Sequence, residues 1–186
     1  MLRHLRLAGA LCALAALAAC GTVTPPYSAA MDNVQALRNG GSSKVQVGNF
    51  STPADQNSIS LRGMNSMTSS VGGSYGAYLA DALRQEFDLA KRIDPASSVE
   101  VSGALLKNDV DVSGFSTGTA VLTARIIVRR GSETRYDKTH TVTHTFESSF
   151  VGAIAIPAAR SAYPDLVRKF LAAVYADPAF QAALNP

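Results

Sequence analysis

Residues 99–146, VEVSGALLKNDVDVSGFSTGTAVLTARIIVRRGSETRYDKTHTVTHTF, decide the fold class. Val99, Val101, Gly103 and Leu105 alternate with polar or small neighbours, the period of a strand with one buried face. Lys107-Asn108-Asp109 interrupts the pattern, and Val110 and Val112 resume it. Gly114 to Gly118 reads as a turn, and Ala120 to Arg129 is dense in β-formers. Arg130-Gly131-Ser132 supplies a hairpin turn, after which Tyr136 to Phe146 returns with Thr139, Thr141, Thr143 and Thr145 on one side. Three strands joined by short turns make an antiparallel meander.

On either side of the meander the period changes from two to nearly four. Upstream, Tyr75, Tyr78, Leu79, Ala82, Leu83, Phe87 and Ala90 share one helical face, with Ser74 as the cap and Asp94-Pro95 as the stop. Downstream, Ala162, Tyr163, Leu166, Val167, Phe170, Leu171 and Val174 mark a helix over 158–176, ended by Asp177-Pro178. Further upstream, Lys44 to Phe50 alternates as a strand, followed by a long polar stretch, Ser51 to Gly73, read as a loop. The order β-α-β-β-β-α predicts an α+β domain with a mixed, mainly antiparallel four-stranded sheet. Both amphipathic helices would cover one sheet face and the threonine row would stay wet.

Before this domain, residues 1–20 divide into a positive head (Arg3, His4, Arg6), an apolar run from Leu7 to Leu17, and a small-residue exit, Leu17-Ala18-Ala19-Cys20. The run is shorter than the roughly 20 apolar residues a membrane-spanning helix needs. Leu17-Ala18-Ala19-Cys20-Gly21 resembles the lipobox of bacterial lipoproteins. That resemblance implies a signal peptide over 1–19, cleavage before Cys20, and acyl chains such as palmitate on Cys20, enough to hold a protein durably on a bilayer. Gly21, where an Asp would mark inner-membrane retention, resembles the outer-membrane sorting pattern and implies a periplasm-facing position. Residues 20–43 then read as the lipidated cysteine and a flexible tether, with Pro25-Pro26 extended, Gly40-Gly41-Ser42-Ser43 as a joint, and a weak helical period at Met31, Val34 and Leu37, with Ser28 as its cap. The single α+β domain is expected over 44–186.

Composition narrows the function class. Without Arg3 and Arg6, 15 of the 17 Lys and Arg face 14 Asp and Glu, so the processed chain is close to neutral. Such a chain has no field to gather a polyanion, and nucleic acid is not an expected partner. Of the two cysteines, Cys12 lies in the leader, so no disulfide and no cysteine-based metal site can form within the domain.

Several constellations invite chemistry. Gly72-Gly73-Ser74-Tyr75-Gly76 fits the G-x-S-x-G nucleophile pattern, and Asp137 with His140 or His144 would complete the chain order of a hydrolase. The flanking sequence lacks the repeated strand–helix units of such a fold, so Ser74 reads as a helix cap. His140 and His144 stand four apart on a strand, roughly 13 Å, too far to share one ion. Asp109 and Asp111 share a strand face without a second acidic cluster and read as a solvated edge. The sequence therefore predicts no catalytic, cofactor or metal site. Glu147 to Pro157 is an apolar connection carrying Phe150, Val151, Ile154 and Ile156, either packed beneath the domain or exposed as a patch for a membrane or protein partner.

Cys20 to Ser28 and Glu147 to Gly152 resemble small Gram-negative lipoproteins of no known activity. The element order over about 44–176 is similar to that of YajG-type lipoproteins and the lipopolysaccharide-assembly lipoprotein family, a likeness of layout alone. The expectation is a membrane-anchored, non-catalytic accessory or assembly module of the envelope. It would be held by its lipid and bind a protein or lipid partner. The alternatives are a small serine hydrolase using Ser74 and a carrier of lipid or another small molecule.

Overall fold

The computed structural model describes residues 21–185. Strands β1 (Gly21–Val23), β2 (Gln46–Ser51), β3 (Ser58–Ser60), β4 (Ser66–Thr68), β5 (Val99–Asp111), β6 (Thr117–Arg130) and β7 (Glu133–Glu147) alternate with helices α1 (Met31–Asn39), α2 (Tyr75–Leu89), α3 (Gly152–Tyr175) and α4 (Pro178–Leu184). The larger sheet has the order β2-β5-β6-β7, with β2 parallel to β5 and the other pairs antiparallel. The α+β class and the four-stranded mixed sheet are as expected.

The meander forms because its apolar positions fall on one face in register. Val101 pairs with Val128, Leu105 with Ala124, and Leu122 with Val142, and all but the half-buried Val142 are buried. Lys107-Asn108-Asp109 does not end β5; a register shift between Leu105 and Lys107 lets the strand continue and turns Asn108 inward. There Asn108 accepts from the Tyr163 hydroxyl at 2.8 Å, which is why a polar residue is tolerated in the core. On the outer face Thr123 bonds Thr141 at 3.0 Å and Arg125 pairs with Asp137, so the threonine face is the solvated one.

Helices α2 and α3 pack on the inner face, α2 against β2 and β5, and α3 against β6 and β7. Small residues set the spacing. A Cβ on Gly76 of α2 would stand 2.3 Å from the Phe50 carbonyl oxygen, and one on Gly103 would stand 2.1 Å from the Arg125 carbonyl oxygen. Helix α3 begins at Gly152, six residues before the sequence indicated, and runs through Pro157 and Pro164. Proline reads as a helix stop because it removes one i→i−4 bond and crowds the preceding turn; here the buried face, from Ala155 and Ala159 to Val174, outweighs that loss.

Two expectations are corrected. The 51–73 stretch is not a bare loop. It holds a short 3₁₀ turn (Ala54–Gln56) and the β3–β4 hairpin, which builds a second sheet, β1-β4-β3, around the buried Ile59 and Met67. The second correction concerns residues 21–43, which are not a flexible tether. Strand β1 runs parallel to β4, pairing Gly21 with Ser66 and Val23 with Thr68, and Tyr27, Val34 and Leu37 are buried in the main core.

Polar groups of α2 explain why this segment is held. The Tyr75 hydroxyl bonds Thr24 Oγ1 at 2.9 Å, and the Tyr78 hydroxyl donates to the Pro25 carbonyl at 2.9 Å. Buried Glu86 Oε1 accepts from the Tyr27 hydroxyl at 2.6 Å, Asn33 Nδ2 at 3.0 Å and the Ala30 N–H at 3.1 Å. Ala30, not Ser28, is the N-cap of α1, and it has no side-chain cap of its own; the Glu86 carboxylate, reaching in from another helix, holds this end by the Ala30 N–H and the Asn33 side chain and lies at the positive pole of the helix. At the other end of α1, buried Arg92 donates to the Leu37 carbonyl at 2.7 Å and the Ser43 carbonyl at 2.9 Å.

Candidate functional site

Three connections meet at one end of the molecule: the β3–β4 turn (61–65), the β5–β6 turn (112–116) and the β7–α3 link (148–151). Arg62 ties them together. Its Nε donates to the Val112 carbonyl at 3.1 Å, one terminal nitrogen donates to Val112 and, at 3.2 Å, to the Gly114 carbonyl, and the other donates to the Phe150 carbonyl. The same guanidinium lies 5.2 Å from the centre of the Phe150 ring, and a Cβ on Gly152 would meet the Arg62 Cδ at 3.9 Å. An arginine suits the position because its planar fork can serve several carbonyls at once and still stack on an aromatic face.

Around that hub the surface is apolar. The Phe115 and Phe150 rings stack with centres 5.3 Å apart and planes 17° from parallel. Relative exposure is 98% for Met64, 81% for Phe115, 62% for Phe150, 54% for Val151 and 57% for Ile154. Single exposed apolar residues are unremarkable on a protein surface, whereas five around one hub constitute a patch. A cleft of about 470 Å³ opens beside them, lined by Leu61, Arg62, Val110, Asp111, Val112 and Phe150. The Asp111 carboxyl is held below the usual range, first by its bond from the Ser113 N–H at 2.7 Å and, more weakly, by the Arg62 charge.

Of the four apolar residues singled out in the sequence, Phe150, Val151 and Ile154 are exposed in this patch, and Ile156 is half-buried against the core. Phe115 and Met64 were missed. Phe115 sits in a predicted turn and Met64 in a predicted loop, and nothing in either local pattern says that the two loops meet. The polar partner Arg62 is equally silent in the sequence.

The other candidates are dispersed. Ser74 caps α2, accepting from the Ala77 N–H at 3.3 Å. Asp137 is bound by Arg125 Nε at 2.6 Å on the solvated face. His144 Nδ1 lies 2.8 Å from Lys169 Nζ, and His140 Nε2 lies 2.5 Å from the Tyr136 hydroxyl. Serine, histidine and aspartate thus each have other partners. Burial is the main cause of the lowered pKa of both histidines. Asp111 lines the apolar cleft, and Asp109 lines a separate shallow depression with Asp55 and Lys107, so the two carboxylates do not share a pocket. Among the described residues no three His, Cys, Asp or Glu side chains converge as a metal-binding group, and no helix is long and apolar enough to cross a membrane. Cys20 lies outside the described residues.

The sequence matches no described protein family and no curated protein. Its fold does have solved counterparts. A Xanthomonas campestris protein described by the family name DUF330 is similar with a TM-score of 0.57 at 13% identity, over 83% of this chain and 91% of the other. A candidate lipoprotein from Caulobacter crescentus aligns with a TM-score of 0.48 at 12% identity, over 82% of this chain and 97% of its own. At such identities the likeness to the Xanthomonas protein is one of fold.

Proposed function

We propose that this chain is a lipid-anchored, non-catalytic lipoprotein of the bacterial envelope, working from the periplasmic face of the outer membrane. Its apolar end, Met64, Phe115, Phe150, Val151 and Ile154, is the contact surface. The observation that carries the reading is the lipobox-like Leu17-Ala18-Ala19-Cys20-Gly21, followed at once by a segment built into the fold. Gly21 is the first residue of β1, and Thr24 is buried and bonded to Tyr75. A cysteine acylated at position 20 would therefore hold the body of the domain close to the lipid. The resemblance in layout to YajG-type and lipopolysaccharide-assembly lipoproteins fits this reading and adds no residue to it.

Metabolic labelling with a palmitate analogue tests the anchor. The expected result is a labelled, membrane-fractionating chain, and a soluble unlabelled chain unaffected by Cys20→Ala would sink the reading. A fluorophosphonate probe tests the non-catalytic part. Stoichiometric labelling lost in Ser74→Ala would replace it with the serine-hydrolase alternative.

A further inference from the structure

We infer that the apolar end docks onto the same bilayer that holds the Cys20 acyl chains, so that the domain lies on the membrane in one fixed orientation. The inference rests on the anchor proposed above and adds the occupant of the patch.

The argument begins with where the chain leaves the fold. Strand β1 is parallel to β4, and Gly21 pairs with Ser66. Ser66 directly follows the 61–65 turn, which is closed by the Leu61 N–H donating to the Asn65 carbonyl at 2.8 Å and carries Arg62 and Met64. Neighbouring strands lie about 4.8 Å apart, so Gly21 enters the structure beside that turn. Arg62 of the turn holds the carbonyls of Val112, Gly114 and Phe150. Helix α3 gives a second bearing. Arg160 Nε donates to the Val23 carbonyl at 2.8 Å, and Ile154 lies six residues back along the helix, about 9 Å toward the same end. The anchor point and the five exposed apolar side chains therefore occupy one end of the molecule.

Reach excludes the alternative of a domain held away from the lipid. Thr24 is buried and bonded, so even a peeled-off β1 leaves four residues to Cys20, at most about 14 Å. An anchor that short, beside a patch of two stacked phenylalanines, a valine, an isoleucine and a fully exposed methionine, presents the patch to the headgroup and acyl boundary. None of the five is charged, and the Arg62 cation at their centre is offset by the Asp111 carboxylate in the same cleft. Docking is therefore driven by apolar burial and not by attraction to anionic lipid, which makes it insensitive to salt.

The test uses the full lipidated chain in phosphatidylethanolamine–phosphatidylglycerol vesicles. The chain has no tryptophan, so a single one is a clean probe. Phe115→Trp places it in the patch. Ser132→Trp places it in the β6–β7 turn, about 40 Å away along β6. Docking predicts blue-shifted emission from F115W, strong quenching by lipids brominated along the acyl chain, and the same quenching at low and high salt, with S132W unquenched. Adding Phe150→Ser and Ile154→Ser to F115W should lower the docked-to-undocked ratio roughly tenfold or more. F115W quenched no more than S132W, in a chain that still floats with the vesicles, overturns the docking and leaves the anchor intact. Crosslinking of the patch to a defined envelope protein in intact cells, with F115W unquenched in the vesicles, would assign it to that protein instead. A chain that carries no lipid and does not float overturns the anchor itself.

Discussion

Replacing Glu86 with leucine should free the 21–43 segment from the body of the domain. Glu86 is buried on α2, and its Oε1 is the shared acceptor for the Tyr27 hydroxyl, Asn33 Nδ2 and the Ala30 N–H. Leucine fills similar space and accepts nothing. Each donor left without a partner in the interior costs about 1–3 kcal/mol. Asn33 keeps one bond, to the Arg168 carbonyl at 3.0 Å, and loss of the partnerless Oε2 returns part of the cost. The net expectation is a loss of about 3–5 kcal/mol, a large share of the roughly 5–15 kcal/mol that holds a typical domain together.

A graded series sharpens the case. Tyr27→Phe removes one bond and should cost about 1–1.5 kcal/mol. Glu86→Gln keeps an acceptor for all three donors and leaves its amide beside the neighbouring buried Tyr175 hydroxyl, so it should stay within about 1 kcal/mol of the parent. Urea unfolding gives the magnitudes, and hydrogen exchange by mass spectrometry gives the location. In Glu86→Leu, amides over 27–39 should exchange much faster while β5 and β6 stay protected. Equal urea midpoints, or unchanged exchange over 27–39, would refute the claim that this carboxylate is what turns a tether into part of the fold.

Arg62→Ala removes the hub of the apolar end and should cost about 1.5–3 kcal/mol; exchange should quicken over 111–116 and 148–152, and a protected patch would contradict the role assigned to Arg62. Gly76→Ala gains about 1 kcal/mol of helix propensity but places a Cβ 2.3 Å from the Phe50 carbonyl oxygen. The clash should win by about 2 kcal/mol, read as a lower Tm. Asp177 caps α4, pairs with Lys138 Nζ at 2.9 Å and accepts from the Tyr136 hydroxyl at 2.9 Å. With Lys138 as the main cause, its carboxyl falls from 3.8 to about 2. A depressed carboxylate stabilises the fold above its unfolded pKa and ceases to do so as pH falls through the folded one. The parent and Asp177→Asn should therefore differ in unfolding midpoint above pH 4 and converge toward pH 2; parallel profiles would show that the pair contributes nothing.

The four-stranded sheet was legible because its information is local. Alternation over 99–146 and the helical periods around Tyr78 and Phe170 each set which face is buried, and two amphipathic helices beside one half-apolar sheet leave few ways to close a core. The solvated threonine row followed from the same alternation, and the Ser74 cap from its place just before the helical period. The start of α3 was read late because proline speaks only of its own turn, and the benefit that overrides it lies on the opposite side of the helix.

Residues 21–43 carry Pro, Gly and Ser in tether-like proportions, and nothing near them in sequence reveals that Tyr75, Tyr78, Glu86 and Arg92 will bond to them from some fifty or sixty residues away. The apolar end is of the same kind, because Met64, Phe115 and Phe150 come from three loops that Arg62 ties together across the fold. The sequence by itself determined what each element would bury and, through the residues around Cys20, how the chain resembles a lipid-anchored protein. The tertiary structure decided where Gly21, the residue after that cysteine, enters the fold relative to the exposed apolar surface. The physical reason is range: periodicity is a property of neighbours a few residues apart, whereas buried hydrogen bonds and stacked rings between distant segments exist only once the core has brought their backbones together.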